Sequence, residues 1–216
     1  MGLMDELIEN IVKHADYRYN ARKEELRNQL ESKGLKVYFT HELTSCKKKS
    51  EFRNRYPELQ RKLMHKPPLL LGEIVQKGVK AYLPRDVEEE RIFYKVLGNT
   101  AIIGTPDFYS QSRRSVYELK FTRRRPKLYE HHRLRACVYK WLSGAEHAYL
   151  LYCSPRGFRE YEVNDEFCDS GLKSLMDKWS SPMWEWECKL CVYRTICDRF
   201  NIFSEYEDRN YKNRNS

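Results

Sequence analysis

Two short stretches near the middle of the chain carry the residue types that phosphodiester hydrolysis needs: Gly104-Thr105-Pro106-Asp107 and, a short loop later, Tyr117-Glu118-Leu119-Lys120. Side chains on a strand alternate between faces, so Glu118 and Lys120 project together and Leu119 goes the other way. Pairing of the Asp107 strand with the Glu118 strand would bring an Asp and a Glu onto one hard cation. Such a cation takes oxygen ligands and keeps positions open for water and phosphate. It lowers the pKa of the attacking water, and Lys120 beside it orients that water or stabilises the charged transition state. Glu-x-Lys by itself occurs in any charged sequence. The upstream Asp, the strand setting and the neighbouring arginines single this one out.

A second cluster lies toward the C-terminus. Of the seven cysteines, Cys188, Cys191 and Cys197 crowd into ten residues. Three thiolates leave a tetrahedral site one ligand short, and Cys46, in a basic stretch ahead of the acidic pair, is the expected fourth. A structural zinc and an iron-sulfur cluster both suit such ligands. All-cysteine zinc sites usually pair two close doublets, so the one-plus-three division favours iron-sulfur. Cys137, Cys153 and Cys168 read as small buried hydrophobes. His131 and His132 read as solvated or DNA-facing, outside the metal site.

With Tyr139 on a helix after the lysine, the central motifs resemble the PD-(D/E)XK nuclease superfamily, and its RecB-like branch in particular. The resemblance implies a restriction-endonuclease-like α/β (α+β) fold, a mixed sheet flanked by helices. It implies that Asp107 and Glu118 bind magnesium or manganese together with the Leu119 backbone carbonyl, and that Lys120 is the catalytic lysine. The branch's Gln-x-x-x-Tyr element reads here as Arg135-Ala136-Cys137-Val138-Tyr139, keeping the Tyr. Its Gly-x-x-x-His element reads as Gly72-Glu73-Ile74-Val75-Gln76, without the histidine. Either Gln76 then reaches the metal-bound water, or Glu73, one turn earlier, serves as a further carboxylate ligand.

The cysteine pattern bracketing these motifs, His41-Glu42-Leu43-Thr44-Ser45-Cys46 ahead and Cys188-Lys189-Leu190-Cys191 to Cys197 behind, resembles the CRISPR-associated Cas4 nucleases and the related AddB-type domains. The match spans residues 38–200, and a chain of 216 residues favours the first. The resemblance implies a 4Fe–4S cluster, with a 2Fe–2S form as the alternative, acting as a staple. It also implies exonuclease action on single-stranded DNA, with endonuclease action as a further expectation, in the trimming of spacer precursors during CRISPR adaptation alongside integrase proteins. The rival readings are a stand-alone RecB-type repair nuclease and a non-catalytic iron-sulfur DNA-binding module.

The elements that must position these residues follow from periodicity. Residues 1–35 read as an amphipathic helical arm, broken near Ala15 to Tyr19 and stopped at Gly34. Residues 36–182 form the expected nuclease core: a strand over Lys36 to Thr40, a helical stretch around Cys46 and a helix from Leu69 to Leu83. Strands follow over Val87 to Leu97, Thr100 to Tyr109 and Ser115 to Phe121. A helix runs from Pro126 to Ser143, then a strand pair over His147 to Cys153 and Phe158 to Val163, and a helix from Phe167 to Trp179. Residues 183–204 form the cysteine-bearing region and 205–216 a polar tail.

Composition agrees with a nucleic-acid partner. The chain has 40 Lys and Arg against 31 Asp and Glu, a net charge of +9. Residues 113–140 hold ten basic residues against two acidic, and residues 41–66 eight against three. Patches of this kind attract polyanions, so Lys47, Lys48, Lys49, Arg123, Arg124, Arg125 and Arg135 are expected to track phosphates. Disorder throughout is excluded by 16 Tyr, 9 Phe and 4 Trp, far too many for a chain without a core. The longest apolar runs are far shorter than the roughly 20 residues of a membrane span. The N-terminus lacks the pattern of a signal peptide, so a cytoplasmic location is expected, with free thiols or metal ligands in place of disulfides.

Overall fold

The computed structural model describes residues 2–198, without the side chains of residues 14–20 and 61. In chain order the elements are α1 (Leu3–Glu31), β1 (Lys36–Phe39), α2 (Thr40–Leu43), α3 (Lys47–Arg55), α4 (Pro57–Met64) and α5 (Pro67–Lys80). There follow β2 (Glu88–Glu89), β3 (Phe93–Leu97), β4 (Thr100–Gly104), β5 (Phe108–Ser110), β6 (Ser115–Phe121) and α6 (Glu130–Ser143). The chain continues with β7 (His147–Ser154), β8 (Gly157–Glu162), α7 (Asp169–Asp177) and α8 (Glu187–Leu190), and a short 3-10 turn at Arg194–Ile196.

The arm is one unbroken helix. No Pro or Gly interrupts residues 3–31, so the expected break near Ala15 to Tyr19 has no residue to make it. Gly34, at φ +81°, takes the left-handed conformation that reverses the chain into β1. Leu26 and Leu30 on the inner face of α1 pack on Val37, Phe39, Ala101 and Ile103. The arm is therefore an integral layer over the first sheet.

There are two sheets. The first has the order β1-β4-β3, with β1 parallel and β3 antiparallel to β4. The second has the order β2-β5-β6-β7-β8, with the central β6 and β7 parallel and the outer pairs antiparallel. The run Thr100 to Tyr109, read from sequence as one strand, is divided between them. Pro106 has no N–H for a ladder, so the chain leaves the first sheet at Gly104 and joins the second at Phe108. Gly104 is required for a further reason: a Cβ there would lie 2.4 Å from Leu142 Cδ1, 2.8 Å from Thr40 Oγ1 and 3.1 Å from Tyr139 Cδ1. The backbone of β4 thus touches α6 and α2 directly.

The second sheet is covered on both faces, as a parallel centre requires. Ala136, Val138, Trp141 and Leu142 of α6 pack with Val116, Ala148, Leu150 and Tyr152. On the opposite face, Val75 and Val79 of α5 cover Phe108, Leu119 and Cys153. Other expectations shift at element ends. Pro67 starts α5 two residues early, Pro57 opens the separate α4, and α6 begins at Glu130, after an extended Tyr129. The span Val87 to Leu97 is strand only at β2 and β3. The polar tail and residues 199–204 lie outside the described residues.

Candidate active site

Asp107 stands in the gap between β4 and β5, one residue before the register Phe108↔Tyr117, so it falls opposite Glu118. Its carboxylate is held from two sides: Gln76 Nε2 donates to Oδ1 at 2.6 Å, and the Leu119 backbone N–H donates to Oδ2 at 2.7 Å. Lys120 Nζ lies 2.5 Å from Glu118 Oε1, 3.1 Å from the Leu119 carbonyl oxygen and 3.9 Å from Asp107 Oδ2. The alternation of β6 produces this convergence, turning Leu119 into the apolar layer under α5 while Glu118 and Lys120 face the other way.

The site is electrostatically tight. Burial, and then the Glu118 carboxylate beside it, push the Asp107 carboxyl up to about 7. Glu118, only 4% exposed, is held below its ordinary value by Lys120 and Arg135 although burial opposes its charge. Two adjacent buried carboxylates that cannot both ionise freely share a proton or take a cation. Among the described residues, no three His, Cys, Asp or Glu side chains form a ligand set for a metal ion. The two carboxylates and the Leu119 carbonyl are oxygen donors of the kind a hard divalent cation takes. Glu73 is half-buried on α5, one turn before Gln76, which makes the contact with Asp107.

The basic residues divide. Arg123, Arg124 and Arg125 are exposed on the loop that leaves β6 next to Lys120. Arg135 belongs to the site itself, 3.7 Å from Glu118 Oε1 and donating to Thr44 Oγ1 at 3.2 Å. In the Lys47 to Lys49 run, Lys47 is exposed and the other two are half-buried. Lys47 Nζ lies 5.5 Å from the centre of the Trp179 ring, Lys48 pairs with Asp198, and Lys49 is buried enough to lower its pKa. Tyr139 is buried at 4% exposure, its ring against Gly104. His131 and His132 are half-buried: burial lowers them to about 4 and about 2, and His132 Nδ1 is 2.7 Å from the Tyr152 hydroxyl.

Cys46, Cys188, Cys191 and Cys197 line one cavity, together with Lys48, Lys49, Phe52, Glu187 and Arg194. The space they enclose is about 20 Å³, room for little more than one water-sized body. Four thiols thus surround one space, a ligand type that suits either an iron-sulfur cluster or a zinc ion. The segment before α8 is stitched to the Cys46 loop by groups that sequence reading did not single out. Glu187, 4% exposed, accepts the backbone N–H of Cys46 at 2.9 Å and those of Met183 and Trp184 at 3.0 Å. Trp179 Nε1 donates to the Ser45 carbonyl at 2.8 Å and Trp184 Nε1 to that of Thr44 at 3.1 Å. Cys137 and Cys153 are buried as expected, whereas Cys168 is exposed ahead of α7.

Fold and site together define a restriction-endonuclease-like α/β architecture with its acidic pair at the junction of two sheets. The chain aligns over most of its length with the solved structure of SSO0001, with a TM-score of 0.76 and 22% identity, covering 93% of this chain and 98% of that one. It is also 27% identical over 178 residues to the CRISPR-associated exonuclease Cas4 of Saccharolobus solfataricus, covering 74% of this chain and 86% of the relative. The chain is thus similar in sequence to a Cas4 exonuclease and in fold to SSO0001, in line with the resemblance carried by its motifs. No protein-family model matches it. Among the described residues, no helix is long and apolar enough to cross a membrane.

Proposed function

We propose that this chain is a metal-dependent nuclease that digests single-stranded DNA from an end, working in CRISPR adaptation on spacer precursors, with an iron-sulfur cluster on Cys46, Cys188, Cys191 and Cys197. The observation that carries the reading is the lysine ammonium within reach of Glu118, Asp107 and the Leu119 carbonyl around one buried, proton-sharing carboxylate pair. Asp107, Glu118 and the Leu119 carbonyl would hold magnesium or manganese, which supplies Lewis acidity and neutralises phosphate charge. Gln76 and the Leu119 N–H fix both oxygens of Asp107, so its orientation is set before substrate arrives. Lys120 offers an ammonium donor to the attacking water or to a phosphate oxygen, where developing charge makes it strongest. Gln76 carries no proton to give or take at neutral pH, so in the place of a histidine it orients and does not act as a base.

The exposed Arg123 to Arg125 loop supports an approach for the strand directly beside Lys120. The test is digestion of single- and double-stranded DNA, labelled separately at each end, by protein purified without oxygen, with manganese or magnesium present. Stepwise shortening of the single strand from one end is the expected result. Binding without cleavage, with iron present, would replace the enzyme reading by that of a DNA-binding module.

A further inference from the structure

Three of the four tryptophans are tied into the fold by their indole N–H groups: Trp141 donates to Asp169 Oδ1 at 2.9 Å, Trp179 to the Ser45 carbonyl at 2.8 Å and Trp184 to the Thr44 carbonyl at 3.1 Å. Trp186 differs. It is 41% exposed, and its N–H makes no hydrogen bond to the described residues. Its ring is nevertheless backed by another: the His131 imidazole lies 4.7 Å from it, centre to centre, and stands 6.0 Å from Trp184 and 5.7 Å from Tyr129. These rings lie beside the cations of the acidic pair. His131 is one turn of α6, about 5 Å, before Arg135, and Arg135 reaches Glu118 at 3.7 Å. Arg135 and Lys120 both act on the His131 imidazole, which burial first and these charges next keep neutral at pH 7. An exposed indole on an uncharged aromatic base, among cations, is the combination that single-strand binders use: the cations hold phosphates and the ring holds a base.

We propose that Trp186, backed by His131, is a stacking platform for one unpaired base of the nucleic-acid strand, next to the phosphate presented to Asp107, Glu118 and Lys120. Every base has a π face, so the platform takes any sequence, whereas a duplex keeps its bases stacked inside and offers it none. The ring therefore selects single strands without reading them. It also gives the cysteine-bearing segment a part in substrate binding, since Trp186 stands two residues before Cys188. The inference rests on the nuclease reading for the identity of its ligand, but its test does not require cleavage.

Binding is measured by fluorescence anisotropy without added divalent cation, on protein purified without oxygen, with two labelled strands of equal length: oligothymidylate, and the same sugar-phosphate chain made of abasic units. The proteins are wild type, Trp186→Ala and Trp186→Phe, with thermal midpoint and iron content read for each. Stacking of one base predicts that Trp186→Ala loses at least about fivefold in affinity for oligothymidylate. The same variant is expected to bind the abasic strand as wild type does, and Trp186→Phe, which keeps a ring, to recover most of the loss. Wild-type affinity for oligothymidylate in Trp186→Ala would overturn the platform. So would an equal loss on both strands, which would make the ring a support for phosphate contacts or for the fold. Manganese-dependent cleavage by wild type, run separately, reports on the nuclease reading alone: a base-dependent loss without cleavage strikes that reading and leaves the platform, and cleavage without a base-dependent loss does the reverse.

Discussion

At the scale of single residues, the decisive feature is that Asp107 and Glu118 are buried side by side and differ in their proton affinity. Asp107 is raised from 3.8 to about 7, by burial first and by Glu118 second. A carboxyl raised in the folded chain binds a proton that the unfolded chain releases, so its contribution to stability falls as pH rises from about 4 to about 7. A divalent cation replaces that proton and removes the penalty. Manganese is therefore expected to raise the thermal midpoint more at pH 8 than at pH 5, and Asp107→Asn to abolish the difference. Equal shifts at both pH values in wild type would contradict the shared-proton description. Asp107, Glu118 and Lys120 were legible from type and spacing because strand alternation alone brings two of them to one face. The place of Arg135 was not: as part of a basic run it reads as a phosphate contact, and only the packing of α6 against β6 turns it toward Glu118.

At the scale of elements, short-range signals in the sequence gave the helices and the β7–β8 hairpin well, because Pro, Gly and apolar periodicity act locally. They did not give the division of residues 100–109 between two sheets. Pro106 marks that break locally, but the close approach of Gly104 to Leu142 and Thr40, from helices far away in sequence, is encoded by no local pattern. Glu187 was missed for the same reason: an acidic residue beside Cys188 looks like surface, and only the fold brings it under the Cys46 loop. A buried carboxylate accepting three backbone N–H groups is expensive to weaken. Glu187→Gln is expected to destabilise the fold by about 1.5–3 kcal/mol and to speed the loss of iron to a chelator, with all four cysteines intact. Iron retention and thermal midpoint equal to wild type would show that the cysteine region holds itself together without this carboxylate.

At the scale of the whole molecule, the chain closes on itself twice around the acidic pair. The N-terminal arm covers the first sheet and delivers Arg27, which donates to Glu42 at 2.9 Å, while the segment carrying the last three cysteines returns to the loop of Cys46. The arm had no function readable from sequence, since an amphipathic helix announces only that it packs. On the proposed function, Asp107, Glu118 and Lys120 form one metal-dependent cleaving centre. Its most direct test is single-turnover cleavage of end-labelled single-stranded DNA across a manganese titration, comparing wild type with Glu118→Gln and Lys120→Met. Wild type is expected to show saturable, metal-dependent cleavage, Lys120→Met a fall of at least about 10²-fold at saturating metal, and Glu118→Gln no detectable cleavage while DNA binding persists. Cleavage by Glu118→Gln at the wild-type rate would contradict it.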